Sequence, residues 1–197
     1  MKCFKLLFVL LFICLEFASL AQKKVQFELT TSPNIIFDFN TIQKYESGII
    51  YLNAVTLNLN VEDPPAPGGA VSFDLYVGAE DASLNSTTVW HEIQSYSNTG
   101  STPGVGLVQM RFRNTNSTSQ VNGFFNLTEM ANPTYIIGTA ALDAIVNCPL
   151  QGTNEKGKYD SSPGCHKFRV DLKIKPDFTY KSGLYELYIH YIIIENL

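Results

Sequence analysis

The chain is poor in the residues from which most catalytic and metal centres are built. Its 197 residues hold three histidines, four cysteines and one tryptophan. His91, His166 and His190 are scattered, and none stands at ligand spacing from another His, Cys or acid. No partner triad surrounds any of them, so each reads as a solvent-facing or hydrogen-bonded side chain. Glu80 and Asp81 follow Gly78 without the spaced oxygen ligands of a calcium loop, and read as a solvated turn. Asp38, Glu62, Asp63 and Asp74 show no pairing of the glycosidase kind, although a fold can bring distant acids together. No enzymatic activity, metal or cofactor is expected. Charged residues make up only 16% of the chain and the formal net charge is −4. No run of Lys and Arg supplies the basic patch that nucleic acid or an anionic membrane requires.

Long apolar runs are also missing, apart from one at the start. Lys2 and Lys5 precede the apolar stretch Leu6 to Ile13, and Ser19-Leu20-Ala21 places small residues where a signal peptidase reads. This is the form of a secretory signal, residues 1–21. Glu16 and Ser19 cut the run short of the ~20 residues that a membrane-spanning helix needs. Acylation at Cys14 is disfavoured because Phe12 and Ile13 are bulky where a lipoprotein signal carries small residues. Cleavage after Ala21 leaves Gln22 first, and loss of two lysines and one glutamate takes the charge to −5. Residues 22–197 are then one domain, large enough for a real core.

Cys3 and Cys14 leave with the signal, so Cys148 and Cys165 remain as a pair. In an oxidising compartment an isolated pair is expected as a structural disulfide. The bridge would close a loop rich in Gly, Lys, Asn and Ser and contribute ~3 kcal/mol on the chain-entropy account. A metal site is the competing reading, but two thiols and His166 do not complete one.

What the chain has in abundance is period-two alternation, the signature of strands with one buried face. Val25, Phe27 and Leu29 alternate first, ended by Ser32-Pro33. Ile35, Phe37 and Phe39 follow, then a turn around Gln43 to Gly48, and Ile49 to Leu52 resumes extended structure. Val55, Leu57, Leu59 and Val61 alternate with Thr56, Asn58 and Asn60. The segment from Asp63 to Gly69 holds three prolines and two glycines, and is a loop between strands rather than a domain linker. Val71, Phe73, Leu75 and Val77 form the next strand, Trp90 sits in another, and Val108, Met110 and Phe112 alternate with Gln109, Arg111 and Arg113. Phe124, Phe125 and Leu127 make a short extended piece. Tyr135 to Val146 fits one short helix, with Ile137, Ala141, Leu142 and Ile145 on a face, or two short strands. Phe168, Val170, Leu172 and Ile174 alternate with charged residues. A terminal strand carries Tyr185, Leu187, Ile189, Tyr191 and Ile193 on one side. The fold class is all-β, an Ig-like antiparallel β-sandwich with at most one short helix.

The closing stretch, Pro176-Asp177-Phe178 through Lys181-Ser182-Gly183-Leu184-Tyr185 into Leu187-Tyr188-Ile189, resembles the ending of several exported bacterial Ig-like families. These are the spore-coat-U-type and pilin-subunit domains and the WxL surface domains. In them a small residue and Gly precede an aromatic and a final alternating strand. The likeness covers about the last twenty residues. Leu184 stands where Thr is commoner, and the WxL tripeptide is missing. The resemblance implies a non-enzymatic role at a surface or appendage. An Asn-rich composition and a signal ending in Ala21-Gln22 suit a low-GC Gram-negative bacterium, and export then places the chain in its periplasm or at its cell surface. The runner-up role is an accessory subunit docking onto an outer-membrane machine. A third is a carbohydrate-binding module or glycan-active enzyme using Trp90 and tyrosines as stacking platforms.

Two segments are candidate contact sites. If Tyr185 to Ile193 face the core at alternate positions, Tyr188, His190, Ile192 and Ile194 face outward, more apolar than a wet face usually is. Another part of the chain, or a protein partner, must cover them. Val25, Phe27 and Leu29 form a strand that can pair with its own sheet or complete a neighbour's by strand addition. Self-assembly or a protein partner is therefore expected, with a glycan as the further possibility.

Overall fold

The computed structural model describes residues 24–30, 34–62, 72–114, 123–137, 157–158 and 166–196. Cys148 and Cys165 lie outside the described residues, as does the signal segment. Eleven strands are described: β1 Lys24–Leu29, β2 Ile49–Glu62, β3 Ser72–Glu80, β4 His91–Ser95, β5 Val108–Asn114, β6 Phe125–Asn126, β7 Thr134–Ile137, β8 Gly157–Lys158, β9 Lys167–Ile174, β10 Gly183–Glu186 and β11 Tyr188–Asn196. Their pairings are antiparallel throughout. The larger sheet runs β1-β2-β9-β5-β6, with β8 also pairing to β2. A three-stranded sheet, β11-β3-β7, packs against it, and β10 pairs with β4 in a small ribbon.

The alternation accounts for this directly. Val55, Leu57 and Leu59 of β2, Val108, Met110 and Phe112 of β5, and Phe168, Val170, Leu172 and Ile174 of β9 are all buried on the inner face of the larger sheet. Phe73, Leu75, Val77 and Ala79 of β3 meet them from the other sheet, with Ile136 and Ile137 of β7. Each such side chain contributes about 1.5–3 kcal/mol by leaving water. The Phe112 ring joins the two layers, 6.4 Å from Phe168 beside it and 6.1 Å from Tyr191 across the core.

Four expectations change. The strand from Ile49 and the strand from Val55 are one element, β2, interrupted where Leu52, Asn53 and Ala54 together face Asp171. This bulge puts Asn53 in the left-handed region, φ 54°, which Asn tolerates better than most residues. Ile35, Phe37 and Phe39 do alternate inward against the core, but no strand pairs with them. Their extended chain is held through contacts such as Tyr51 Oη donating to Ile36 O at 2.8 Å, with the Phe37 and Tyr51 rings 4.8 Å apart.

The helix also falls elsewhere. Residues Thr134–Ile137 are strand β7, where a helical face was one of two readings, and residues 138–146 lie outside the described set. The α-helix that is described, α1, runs Ile42–Ser47. Thr41 caps its start by accepting from the Lys44 N–H, and Gly48 ends it. Gly48 sits at φ 75°, and a Cβ there would lie 2.7 Å from Ile174 O, so both conformation and space require glycine. A 3-10 turn, Val105–Leu107, leads into β5.

The terminal strand is likewise two strands. Gly183–Glu186 pairs with β4, with a register irregularity between Leu184 and Tyr185, and from Tyr188 onward the chain pairs with β3. Lys181 anchors the first part by its ion pair with Glu92, 2.9 Å, and Tyr185 Oη donates back to Lys181 O at 2.8 Å.

Candidate interaction surfaces

β11 lies antiparallel on β3 in one unbroken register, from Tyr188 opposite Glu80 to Asn196 opposite Ser72. Leu187, Ile189, Tyr191 and Ile193 pack on the core, so the neighbouring positions turn outward. Tyr188, His190, Ile192 and Ile194 therefore share the outer face of the smaller sheet with Asp74, Tyr76 and Glu80. Tyr188 is 41% and Ile194 46% exposed, while Ile192 and His190 are half-buried. His190 Nε2 lies 3.4 Å from Glu80 Oε2. Tyr76 and Tyr135 pack ring to ring at 5.3 Å. Burial, with Tyr135 and Asp74 beside it, holds the Tyr76 hydroxyl above its ordinary range. One end of the face is covered by the Glu129-Met130 turn, whose Met130 N–H donates to Ala79 O at 3.0 Å. Met130 lies so close that a Cβ on Gly78 would come within 2.8 Å of its Cα.

β1 pairs with its own sheet. Val25, Phe27 and Leu29 lie opposite Val61, Leu59 and Leu57. As the edge strand of the larger sheet, β1 leaves Phe27 40% and Leu29 43% exposed. The other candidates are tied into local structure. Asp81 Oδ1 accepts from the N–H groups of Ser83, 2.8 Å, and Asn85, 3.0 Å, and the Asn85 bond leads in holding its carboxyl below the usual range. Trp90 is half-buried against the core, its Nε1–H donating to Gly104 O at 3.1 Å. His166 is buried. Among the described residues no three His, Cys, Asp or Glu converge on a metal-binding geometry, and no helix is long and apolar enough to cross a membrane.

The expectation that no basic patch exists needs correction. The sheet builds one by pairing β5 with β9: Arg111 lies opposite Asp171 and Arg113 opposite Arg169, while Gln109 lies opposite Lys173. Phe112, Val170 and Leu172 point into the core, so Arg111, Arg113, Lys167, Arg169, Asp171 and Lys173 all share the outer face. Five cations share this face with one carboxylate, and two of them, Arg111 and Arg113, bond to it. Asp171 is fully buried beneath them. Its Oδ2 accepts from Arg111 Nε at 2.9 Å, and its Oδ1 from Arg113 Nη2 at 2.7 Å and from the Asn53 N–H at 2.9 Å. Burial pushes this carboxyl up, but the bonds from Arg113, Asn53 and Arg111 outweigh it and hold the group below the ordinary carboxylate range. Arg113 Nη2 also donates to Asn53 Oδ1 at 2.7 Å. Arg111 and Lys173 both lie over the Phe124 ring, 4.6 and 5.4 Å from its centroid. Ile50, 49% exposed, stands opposite Lys173 on the same face.

The signal for this face was present but divided. Alternate cations in QMRFR and KFRVDLK each look like the wet side of an ordinary strand. Only their pairing, across some sixty residues of chain, makes a cluster. No protein-family model matches the chain, and no curated protein matches it.

Proposed function

We propose that the protein is a non-enzymatic, exported subunit of a bacterial cell envelope or surface appendage, acting through protein–protein contacts. The observation that carries this reading is the outer face of β11. Tyr188 and Ile194 each keep more than two fifths of their surface in water there, and Ile192 lies between them. A two-layer sandwich whose core is already filled by Phe73, Phe112 and Phe168 has no need of these side chains for its own stability. Contiguous aromatic and aliphatic surface of this kind is typical of a contact site. The signal-like leader and the ending shared with pilin-type and spore-coat-U-type domains support a location outside the cytoplasm.

The test is site-specific photo-crosslinking in native envelopes. A photoreactive residue at Tyr188 or Ile194 is expected to give a discrete protein adduct, and one at Glu46 on exposed α1 is expected to give none. Exported, folded chain that forms no adduct from either β11 position would reject the reading.

A further inference from the structure

The two outer faces of the sandwich have complementary chemistry. The face of β5 and β9 carries five cations and Asp171, a local charge of +4 on an exported chain whose total is −5, which leaves −9 for the rest of it. It needs a counter-charge. Arg113 and Arg169 stand directly opposite one another on neighbouring strands, a like-charge pair that is unfavourable by itself. Arg113 is engaged by Asp171 and Asn53, whereas Arg169 is exposed and makes no hydrogen bond or ion pair among the described residues. The face of β3 and β11 carries the reverse: Asp74 and Glu80, with Tyr76, Tyr135 and Tyr188 and the aliphatic Ile192 and Ile194. Guanidinium groups stack on tyrosine rings and pair with carboxylates, and Tyr and Arg are the residues enriched at protein interfaces. Ile50 beside Lys173 adds an apolar element that a nucleic acid would not use, and the remaining charge of −9 opposes any polyanion.

We infer that the partner of the β11 face is a second copy of this chain, which presents its β5–β9 face: Arg169 and Lys173 of one copy meet Tyr188, Ile194 and Asp74 of the next. This rests on the proposed protein-contact role and names its partner. Because the two faces point away from each other, the contact is head-to-tail. It does not close in a pair, and its repetition builds a linear stack.

Two variants isolate the faces without touching the buried network. Arg169→Glu with Lys173→Glu reverses the basic face but leaves Arg111, Arg113 and Asp171 in place. Ile194→Lys puts a cation on the other face, next to Asp74 and clear of the core. Sedimentation velocity of the purified chain should show association that rises with protein concentration. Going from ~50 mM to ~500 mM salt should weaken it at least about tenfold, since screening shortens the reach of exposed charges. Each variant alone should be monomeric, with an unchanged circular dichroism spectrum. Mixed one to one, the two should associate again, because each supplies the intact face that the other lacks.

Wild-type chain that stays monomeric at every concentration and salt overturns the inference. So does a mixture that remains monomeric, which would mean like faces meet. In either case crosslinks from Tyr188 in native envelopes would still speak for a different protein partner. Loss of those crosslinks as well would remove the protein-contact role itself.

Discussion

On the outer face of the larger sheet, order comes from a carboxylate sunk beneath two arginines. On the outer face of the smaller sheet, it comes from rings and aliphatic side chains lying against a turn. The first face is rich in directional bonds: Asp171 takes three partners from two neighbouring strands, and the bulge at Asn53 exists to bring one of them within reach. On the second, the His190–Glu80 pair and the backbone bonds at Ala79 are among the bonds that hold the described residues. A charged face is fixed by geometry and desolvation. An apolar one is fixed by shape, so it can accept another surface without breaking anything it already has.

The largest effect that would break this contrast is Asp171→Asn. It leaves two guanidiniums facing each other over a neutral amide, and should cost about 2–4 kcal/mol of unfolding free energy in denaturant titration. A loss below about 1 kcal/mol would mean that the network does not order the face. The same residue makes the first face acid-sensitive. Its folded pKa is depressed, so its stabilisation is complete above the unfolded value of ~3.9 and disappears as pH falls through the lower folded value. Asp171→Asn should flatten that limb of the stability–pH curve.

Next in size is Gly78→Ala on the second face. The added Cβ meets Met130 backbone rather than a movable side-chain end, so a loss of about 1–3 kcal/mol is expected, read as a lowered Tm. If Tm is unchanged, the Glu129-Met130 turn does not cap the face.

The smallest change sharpens the comparison from inside. The Tyr191 hydroxyl is buried in the shared core, where it has no hydrogen-bond partner among the described residues, and burial drives its pKa well up. Tyr191→Phe should be neutral or stabilising by up to about 1 kcal/mol, since it removes only an unsatisfied polar group. A loss greater than about 1 kcal/mol in denaturant titration would reveal a partner for that hydroxyl.

Much of this architecture was legible from spacing. The alternation in β2, β3, β5 and β9 named the inner face of each strand, and Val55 to Leu59, Phe73 to Val77, Val108 to Phe112 and Phe168 to Ile174 are buried at those alternate positions. Tyr188 to Ile194 was also assigned its outward positions by the same period. Other features were not legible, for reasons that are physical. Ile35, Phe37 and Phe39 have the period of a strand, but period reports burial, not pairing. The unbroken apolar alternation from Tyr185 to Ile193 conceals a change of sheet at Leu187, because the same side chains suit either partner. Tyr135 to Ile137 reads as helix or strand in so short a segment, and β3 decides it by pairing.

The sequence by itself determined that this is an all-β chain with a defined set of inward side chains, since hydrophobic burial on a pleated strand follows a local repeat of two. Tertiary structure alone decided which strands are neighbours, and so where charges accumulate. Arg111, Arg113, Arg169 and Lys173 become a basic face only when β5 lies against β9, because Coulomb interactions depend on distance in space and a one-dimensional chain does not carry that distance.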